Sequence, residues 1–230
     1  MTMKRAKTIA AVAILAVAIF GILVYFMDVK KSDEAQKKLK EFDLLELYAQ
    51  NDDLVGWIHI EDTGIDYPVM NSDYYLSHNF MKEESDAGTP FVADGYSPEN
   101  PNILIYGHNM IYDKTMFNDL IKYKDKDFYE EHQEVIYYAI CTNQHDKKYV
   151  EKRTYHVMSV IITDTKEWQY WEYAYKDSDS KQYVKEAYDR ELYSTGISSS
   201  GNLITLSTCY RNVTGKTGRL LVIATLVKNE

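Results

Sequence analysis

From Leu54 onwards, the chain is divided into short segments in which apolar and polar residues alternate, or in which apolar residues follow one another. Alternation is typical of a half-buried β-strand, and a short apolar run is typical of a strand buried on both faces. Seven such segments are residues 55–60, 64–70, 102–107, 134–142, 149–163, 202–209 and 218–227. They predict a mainly β domain, either a barrel or a sandwich. Within the second segment, Pro68 predicts an edge or a bulge because proline cannot donate to a β-ladder.

Helical spacing of apolar residues occurs in three places, one before this pattern and two within it. Residues 32–50 begin with a potential Ser32 cap and place Leu39, Phe42 and Leu45 on one stripe, which predicts an amphipathic helix. Residues 178–193 predict a second helix, and residues 116–129 a shorter one. Because the chain has no repeats or low-complexity linkers, residues 51–230 are expected to form one domain.

The N-terminal region contains residues 8–27, a run of 20 residues without a charge. As a helix this run would span about 30 Å, which is long enough to cross a bilayer. A secretory signal peptide is the alternative, but its apolar core usually has only about 7 to 15 residues, followed by a small-residue cleavage site. Tyr25, Phe26 and Met27 end the run unfavourably for cleavage. The sequence therefore predicts an uncleaved anchor at 8–27 and a juxtamembrane segment, including the first helix, at 28–50. Basic residues flank the run on both sides, so charge alone leaves its orientation open.

Composition and charge exclude several classes of protein. The chain has 26 basic and 35 acidic residues, and its net charge of −9 argues against a nucleic-acid partner, since such binding depends on cations that neutralise phosphates. Two cysteines, Cys141 and Cys209, are too few for a disulfide scaffold and lack a zinc-type spacing. The acidic residues Glu83, Glu84 and Asp86 lack the defined loop of oxygen ligands that calcium requires, so we expect no metal and no cofactor.

Candidate chemistry is concentrated around Cys209. Alternation along residues 203–209 places Cys209 on the more polar face of its strand, together with Thr205 and Ser207, whereas Cys141 lies among aliphatic residues. If the last two strands form an antiparallel hairpin, Arg219 lies within side-chain reach of Cys209. A guanidinium favours the thiolate and can stabilise an oxyanion formed at an attacked carbonyl. Arg211 is a competing candidate for this role, and a solvated strand end is the alternative for Arg219.

Cysteine chemistry of this kind also needs a group that carries a proton, usually histidine. His108 follows the apolar strand 102–106 and Gly107, so it projects from a strand end where a small residue leaves room for a ligand. The other five histidines are in strands or charged loops and are interpreted as packed or solvated rings: His59, His78, His132, His145 and His156. Spacing alone cannot show that His108 meets Cys209.

These motifs together resemble those of a known family. Thr205-Leu206-Ser207-Thr208-Cys209 resembles the TLxTC signature of sortases, and Arg219 matches the essential arginine of that family. Tyr106-Gly107-His108-Asn109 is similar to the histidine motif of class B sortases, and Gly56–Ile60 with Gly64–Val69 is similar to their opening strands. The resemblance extends over about residues 54–227.

The resemblance implies an eight-stranded sortase-type β-barrel with an N-terminal helix and an extra helix before the cysteine strand, preceded by one transmembrane helix. It implies a cysteine transpeptidase in which Cys209 attacks a sorting motif between Thr and Gly, His108 transfers protons and Arg219 stabilises the oxyanion. The expected partners are surface proteins with a C-terminal sorting motif, and an amine of the peptidoglycan cross-bridge or of a pilin. The implied location is a Gram-positive cell membrane, with residues 1–7 cytoplasmic and the catalytic domain 51–230 extracellular.

The same resemblance suggests residues that contact the substrate: Leu76, Tyr106, Ser207 and Thr208. Ser72 differs from the Asn that class B members often have, and Thr163, Trp168 and Tyr170 precede the extra helix without a firm alignment.

Two other functions are compatible with the same sequence features. A cell-wall cysteine peptidase or amidase would let water resolve the acyl-enzyme, and a tyrosine-rich adhesion module would need no chemistry.

Overall fold

The structure is a computed structural model, and it describes residues 44–173, 180–211 and 215–230. The predicted segments 1–7 and 8–27, and residues 28–43 of the predicted juxtamembrane segment, lie outside these ranges. Within them, no helix combines the length and the apolar character needed to cross a bilayer.

Eight strands form a closed β-barrel, which confirms the predicted mainly β fold and decides between a barrel and a sandwich. The barrel strands follow the order β1-β2-β3-β4-β9-β10-β8-β7. Strands β5 and β6 form a separate two-stranded sheet. The strand bounds are β1 Leu54–His59, β2 Asp66–Met70, β3 Phe91–Val92, β4 Asn102–Gly107, β5 Asn109–Met110, β6 Thr115–Met116, β7 Glu134–Thr142, β8 Lys148–Asp164, β9 Leu203–Cys209 and β10 Gly218–Asn229.

Short helices fill the connections between strands. Residues 44–50 form α1, and Leu44 packs in a cluster with Leu54, Met70 and Tyr75, so this helix is attached to the barrel. The other helices are α2 (Lys126–Glu131), α3 (Ser180–Arg190) and 3₁₀ helices at Asp73–Leu76, Phe117–Lys124, Tyr170–Tyr173 and Gly215–Thr217. The extra helix predicted before the cysteine strand is therefore α3. The helix predicted over 116–129 is a 3₁₀ helix followed by α2, with Asp125 capping the latter by accepting from the Asp127 backbone N–H.

The strands next to the predicted site are buried on both faces. Ile204 and Leu206 of β9 face the barrel interior, whereas Leu203 belongs to an outer cluster with Tyr183 of α3 and Trp168. Helix α3 and the segment before it thus cover the outside of β9 and β10. Because both faces are covered, these strands contain nearly continuous apolar runs, which is the pattern seen in the sequence.

Pro68 lies in β2, where its backbone pairs with Trp57 of β1. On the other side of β2, the only registered pair is Met70 with Phe91 of β3. Pro68 itself therefore has no registered partner on the β3 side, and the β1–β2 register shifts nearby, between Leu54 and Gly56, which fits the predicted edge or bulge. β3 itself was not predicted, because two residues are too few to display an alternating pattern.

Candidate active site

Cys209 and Arg219 lie directly opposite each other on neighbouring strands. β9 and β10 pair antiparallel, and their register places Arg219 against Cys209 at the end of the hairpin where the connecting loop begins. Directly opposed residues project their side chains from the same face of a sheet. The Cys209 thiol is partly exposed and is not in a disulfide. The hairpin pairing predicted from the sequence is therefore present.

His108 reaches the same rim of the barrel through a different strand pair. β4 runs parallel to β9, and the last registered pair is Gly107 with Thr208. The Thr208 hydroxyl donates to the Gly107 carbonyl across this pair at 2.8 Å. His108 directly follows Gly107, and Cys209 directly follows Thr208. The two residues are 101 positions apart in the chain, but they lie at the same level at the ends of neighbouring strands.

The backbone around His108 is held by close packing and hydrogen bonds. A Cβ atom at Gly107 would lie 2.6 Å from the ring of Phe117, so only glycine fits at this position without a shift. The Phe117 backbone N–H donates to the His108 carbonyl at 2.8 Å. The Asn109 side chain donates to the Cys209 carbonyl at 3.0 Å and accepts from Asn118 at 2.7 Å. These contacts link the histidine segment to the end of the cysteine strand.

The imidazole of His108 has a defined partner. Its Nε2 lies 2.9 Å from the backbone carbonyl oxygen of Leu76, at the end of the 3₁₀ helix Asp73–Leu76. A carbonyl can only accept, so this contact requires the proton on Nε2 and leaves Nδ1 for a second interaction.

A cleft of about 310 Å³ contains all seven residues that the sequence predicted for the site. Its lining is Asp73, Leu76, Phe91, Tyr106, Gly107, His108, Ser207, Thr208, Cys209 and Arg219. The seven differ in accessibility. Leu76 is 48% exposed and available to a ligand, whereas Ser207 and Thr208 are buried and their hydroxyls already contact protein atoms.

Two buried tyrosines cover the outer face of β9 below Cys209. The Tyr170 hydroxyl lies 2.8 Å from Ser207 Oγ, and the Tyr183 hydroxyl lies 2.8 Å from Thr205 Oγ1. The hydroxyl groups of Thr205 and Ser207, on the polar face of the cysteine strand, therefore have tyrosine partners. The next residue on this face is Cys209, whose thiol is partly exposed. Burial raises the pKa of Tyr170, while Ser207 and Arg219 oppose that rise, so this hydroxyl stays protonated at neutral pH. The sequence places Tyr170 before the extra helix but, without a firm alignment, does not assign it to the site; the structure places it in the protein interior.

Arg219 is oriented by its own turn. Its Nη1 donates to the carbonyl oxygens of Lys216 at 3.0 Å and Gly218 at 2.9 Å. Because a guanidinium has five donors in a rigid fork, these bonds hold one branch of the fork and leave donors for a ligand. The competing candidate, Arg211, is exposed and lines a different cleft, on the other side of His108 and Cys209.

The remaining candidates lie elsewhere. Cys141 is buried in the barrel core, and burial raises the pKa of its thiol. The other histidines pair with nearby groups or occupy loops: His59 contacts Glu61, His156 contacts Glu134, His78 stacks on Tyr74, His132 stacks on Phe128 and His145 lies in the β7–β8 turn. Across residues 44–173, 180–211 and 215–230, no three His, Cys, Asp or Glu side chains form a potential metal site, and this includes the Glu83, Glu84 and Asp86 region.

A closed eight-stranded barrel with a thiol, an imidazole and a guanidinium at one rim defines a class of protein suited to cysteine-dependent acyl transfer. The sortase domain model matches residues 58–227. Sortase B of Listeria monocytogenes is 36% identical over 193 residues, which cover 80% of this chain and 74% of the relative. The chain belongs to the sortase family, and its relatives are of the sortase B class.

Solved structures agree with this assignment. Clostridium perfringens sortase B is 30% identical with a TM-score of 0.68, and the match covers 80% of this chain and 98% of that one. The Staphylococcus aureus sortase B–substrate complex is 25% identical with a TM-score of 0.68, covering 86% of this chain and 99% of that one.

Proposed function

We propose that the chain is a membrane-anchored cysteine transpeptidase that cleaves a sorting motif between Thr and Gly and transfers the acyl group to an amine. The observation that carries this proposal is the meeting of Cys209, His108 and Arg219 at one partly exposed cleft. Membership of the sortase family supports it, as does the existence of a substrate complex for the related Staphylococcus aureus sortase B.

In the first half-reaction, Cys209 Sγ attacks the Thr carbonyl carbon of the bound motif and forms a tetrahedral oxyanion. Arg219 donates to that oxyanion, since its charge is permanent and its fork is oriented by the Lys216 and Gly218 carbonyls. His108 gives a proton to the glycine nitrogen as the C–N bond breaks. The products are a thioester on Cys209 and a peptide with a new amino terminus.

In the second half-reaction, the nitrogen of an acceptor amine attacks the thioester carbonyl. His108 takes the proton from that nitrogen, the C–S bond breaks and Cys209 leaves as a thiolate. The new amide joins the surface protein to its acceptor. The acceptor classes we propose are an amine of a peptidoglycan cross-bridge and an amine of a pilin.

The cleft around Leu76, Tyr106, Ser207 and Thr208 is the proposed site for the sorting motif. Leu76 and Tyr106 offer apolar surface, and Leu76 is the more exposed of the two. Ser207 and Thr208 contribute to the cleft wall, and their hydroxyl bonds to Tyr170 and Gly107 define its shape.

The proposed location is the outer face of a Gram-positive cell membrane. The uncharged run 8–27 supports an anchor. Basic residues flank the run on both sides, so membership of the sortase family is what supports a cytoplasmic N-terminus. Membrane extraction and protease protection of the full chain test this location. An anchored protein stays with the membrane in alkaline carbonate and has its C-terminal domain degraded by external protease in intact cells.

Incubation of the full chain in detergent with labelled LPxTG-like and NPxTG-like peptides tests the activity. With an added amine, we expect cleavage at Thr-Gly and a peptide joined to that amine, both abolished in Cys209→Ala. Free acid as the only product at every amine concentration would identify a peptidase or amidase instead. Cleavage that survives in a folded Cys209→Ala variant would contradict the assigned nucleophile.

A further inference from the structure

A second cleft opens on the other side of the proposed catalytic pair. It has a volume of about 150 Å³ and is lined by Asn109, Ile111, Tyr112 and Arg211 together with His108 and Cys209. The thiol and the imidazole thus separate two cavities. One contains Leu76 and Arg219, and the other leads towards the β5–β6 hairpin.

This second cleft continues into two larger ones. Asn109, Ile111 and Arg211 also line a cleft of about 400 Å³, which in turn shares Ile121 and Lys122 with a shallow, open depression of about 620 Å³. Shared walls show that the three are adjacent along the surface. Together they cover a stretch of surface that begins at Cys209 and extends beside the 3₁₀ helix Phe117–Lys124 to the start of α2.

This stretch of surface is positively charged although the chain is acidic. Its described lining has five cations against two carboxylates, Asp119 and Asp125, in a chain with a net charge of −9. The cations are Lys114, Lys122, Lys124, Lys126 and Arg211, and we call this surface the cationic groove. Such a concentration of one sign in a concave surface attracts an opposite charge.

Some of these cations already have partners. Lys122 pairs with Asp119 at 2.9 Å, and Lys126 is 4.0 Å from Glu130. Within the described parts of the chain, Lys114, Lys124 and Arg211 have no carboxylate within 4.0 Å. Lys124 instead lies 3.3 Å from the Tyr210 hydroxyl and over its ring. The positive charge of the groove is therefore only partly neutralised by the protein.

The position of the groove assigns it to the second substrate of the proposed transfer reaction. While the thioester exists, its acyl peptide fills the cleft that contains Leu76 and Arg219. An incoming amine must approach the thioester carbon from a side that is open and within reach of His108. The cleft shared by His108, Cys209 and Arg211 meets both requirements.

We propose that the cationic groove binds the acceptor, and that the acceptor is an amine-bearing peptide with carboxylates near its amine. This inference rests on the proposed transpeptidase function. The five cations are divided among the three clefts, so that no one cleft contains all of them, and the same clefts are lined by Ile111, Ile121 and Tyr193. A peptide with separated carboxylates and apolar side chains fits that distribution, whereas a single phosphate group fits convergent donors.

The test compares acceptor peptides with a free α-amine and an amidated C-terminus that differ only in an Asp-Glu or an Asn-Gln pair. KM for each acceptor is measured in transfer by the full chain, and Kd is measured by calorimetry with Cys209→Ala. We expect the acidic peptide to have a KM and a Kd about fivefold lower than the neutral one, because several exposed charge pairs act together. This preference should disappear at high salt.

The variant Lys122→Gln/Lys126→Glu should weaken the preference, because it makes the groove less positive by three charges while Lys114, Lys124 and Arg211 remain. Its folding risk is small, because both residues are exposed and an acidic residue is favourable in the first turn of α2. The matched control is Lys181→Gln/Lys185→Glu, which makes the same charge change on the exposed face of α3 and should keep the preference.

Equal constants for the two peptides, or a preference unchanged in the groove variant, would overturn the inference. A phosphoserine peptide of similar charge that binds more tightly than the Asp-Glu peptide would overturn its assignment to carboxylates. If the protein cleaves no sorting peptide, the proposed function fails, and the Kd comparison still decides the inference. If cleavage and transfer occur without a charge preference, only the inference fails.

Discussion

The imidazole Nε2 of His108 lies 2.9 Å from the backbone carbonyl oxygen of Leu76. Leu76 also lines the cleft proposed for the sorting motif, called the motif cleft below. The same residue therefore presents its side chain to the motif cleft and its carbonyl to His108, the proposed proton carrier. This bond sets the tautomer of the neutral ring and restrains its orientation in the cleft that it shares with Cys209. The position of the Leu76 carbonyl should therefore affect turnover.

Gly88→Ala tests this role. A Cβ at Gly88 would lie 2.5 Å from the Leu76 carbonyl oxygen and 2.6 Å from that of Tyr75, so the alanine must displace this backbone. We expect kcat to fall about tenfold or more, because small displacements of a catalytic group are costly. The measurement is the steady-state rate of peptide transfer, with thermal unfolding as a check on folding.

Gly196→Ala is the matched control. Gly88 has φ +58 and Gly196 has φ +72, so alanine is strained at both by about 1 kcal/mol. At Gly196, however, the added Cβ meets nothing within 4 Å. This variant should lose stability and keep its turnover. Equal kcat in the two variants would show that the Leu76 carbonyl has no influence on His108.

The two hydroxyl pairs on β9 provide a second comparison. Tyr170→Phe and Tyr183→Phe each remove one buried hydroxyl that lies 2.8 Å from a strand hydroxyl, so both should destabilise the protein by about 1 kcal/mol. Only the Tyr170 pair touches the motif cleft, through Ser207, and only Tyr170 is close enough to Arg219 for that charge to lower its pKa. We therefore expect kcat/KM for the sorting peptide to fall about fivefold in Tyr170→Phe alone.

Chemical denaturation and peptide kinetics on both variants check this prediction. If Tyr183→Phe lowers kcat/KM as much as Tyr170→Phe, the effect follows from stability and not from the cleft. If neither variant loses activity, the Tyr170 hydroxyl is structural only.

Contacts that are local in sequence could be predicted, and those that depend on strand order could not. The pairing of Cys209 with Arg219 follows from one hairpin, because an antiparallel turn brings the end of β9 beside the start of β10. The proximity of His108 depends on the parallel pairing of β4 with β9, and no periodicity in the chain encodes which strands become neighbours. The family resemblance supplied this relationship.

The contacts made by side chains that cover a strand from outside the barrel could not be predicted from the sequence either. Tyr170 lies in a four-residue 3₁₀ helix, which is too short to show a pattern, and its contact with Ser207 is 37 positions away. The β3 strand and the bond from His108 to the Leu76 carbonyl are similar cases. A backbone acceptor has no sequence signature, since every residue contributes the same carbonyl.

The two cysteines should differ in reactivity towards an alkylating reagent. Burial raises the pKa of the Cys141 thiol above its ordinary value, so at about pH 8 this thiol remains protonated as well as shielded. Cys209 is partly exposed and lies opposite Arg219. Iodoacetamide treatment of the native protein should add one label, which peptide mass spectrometry should locate at Cys209.

Denaturant provides the internal control, since unfolding should expose both thiols and give two labels. Two labels on the native protein, or one label at Cys141, would contradict the buried position of that cysteine. Raising the pH should increase labelling of Cys141 only slowly, because its shielding persists while the barrel is folded.

Arg219→Lys separates the charge of the guanidinium from its geometry. Lysine keeps the positive charge beside Cys209, but its single nitrogen cannot reproduce the guanidinium geometry, in which Nη1 holds the Lys216 and Gly218 carbonyls and the other nitrogens stay available to an oxyanion. We expect kcat for transfer to fall about 10²- to 10³-fold, as for the loss of one oxyanion donor. The rate of Cys209 alkylation should change little in Arg219→Lys and should fall in Arg219→Gln, where the charge is also lost. Full turnover in the lysine variant would mean that position 219 acts only as a point charge. If both alkylation and transfer are slow in that variant, the substitution has impaired the reactivity of the Cys209 thiol and not the stabilisation of the oxyanion.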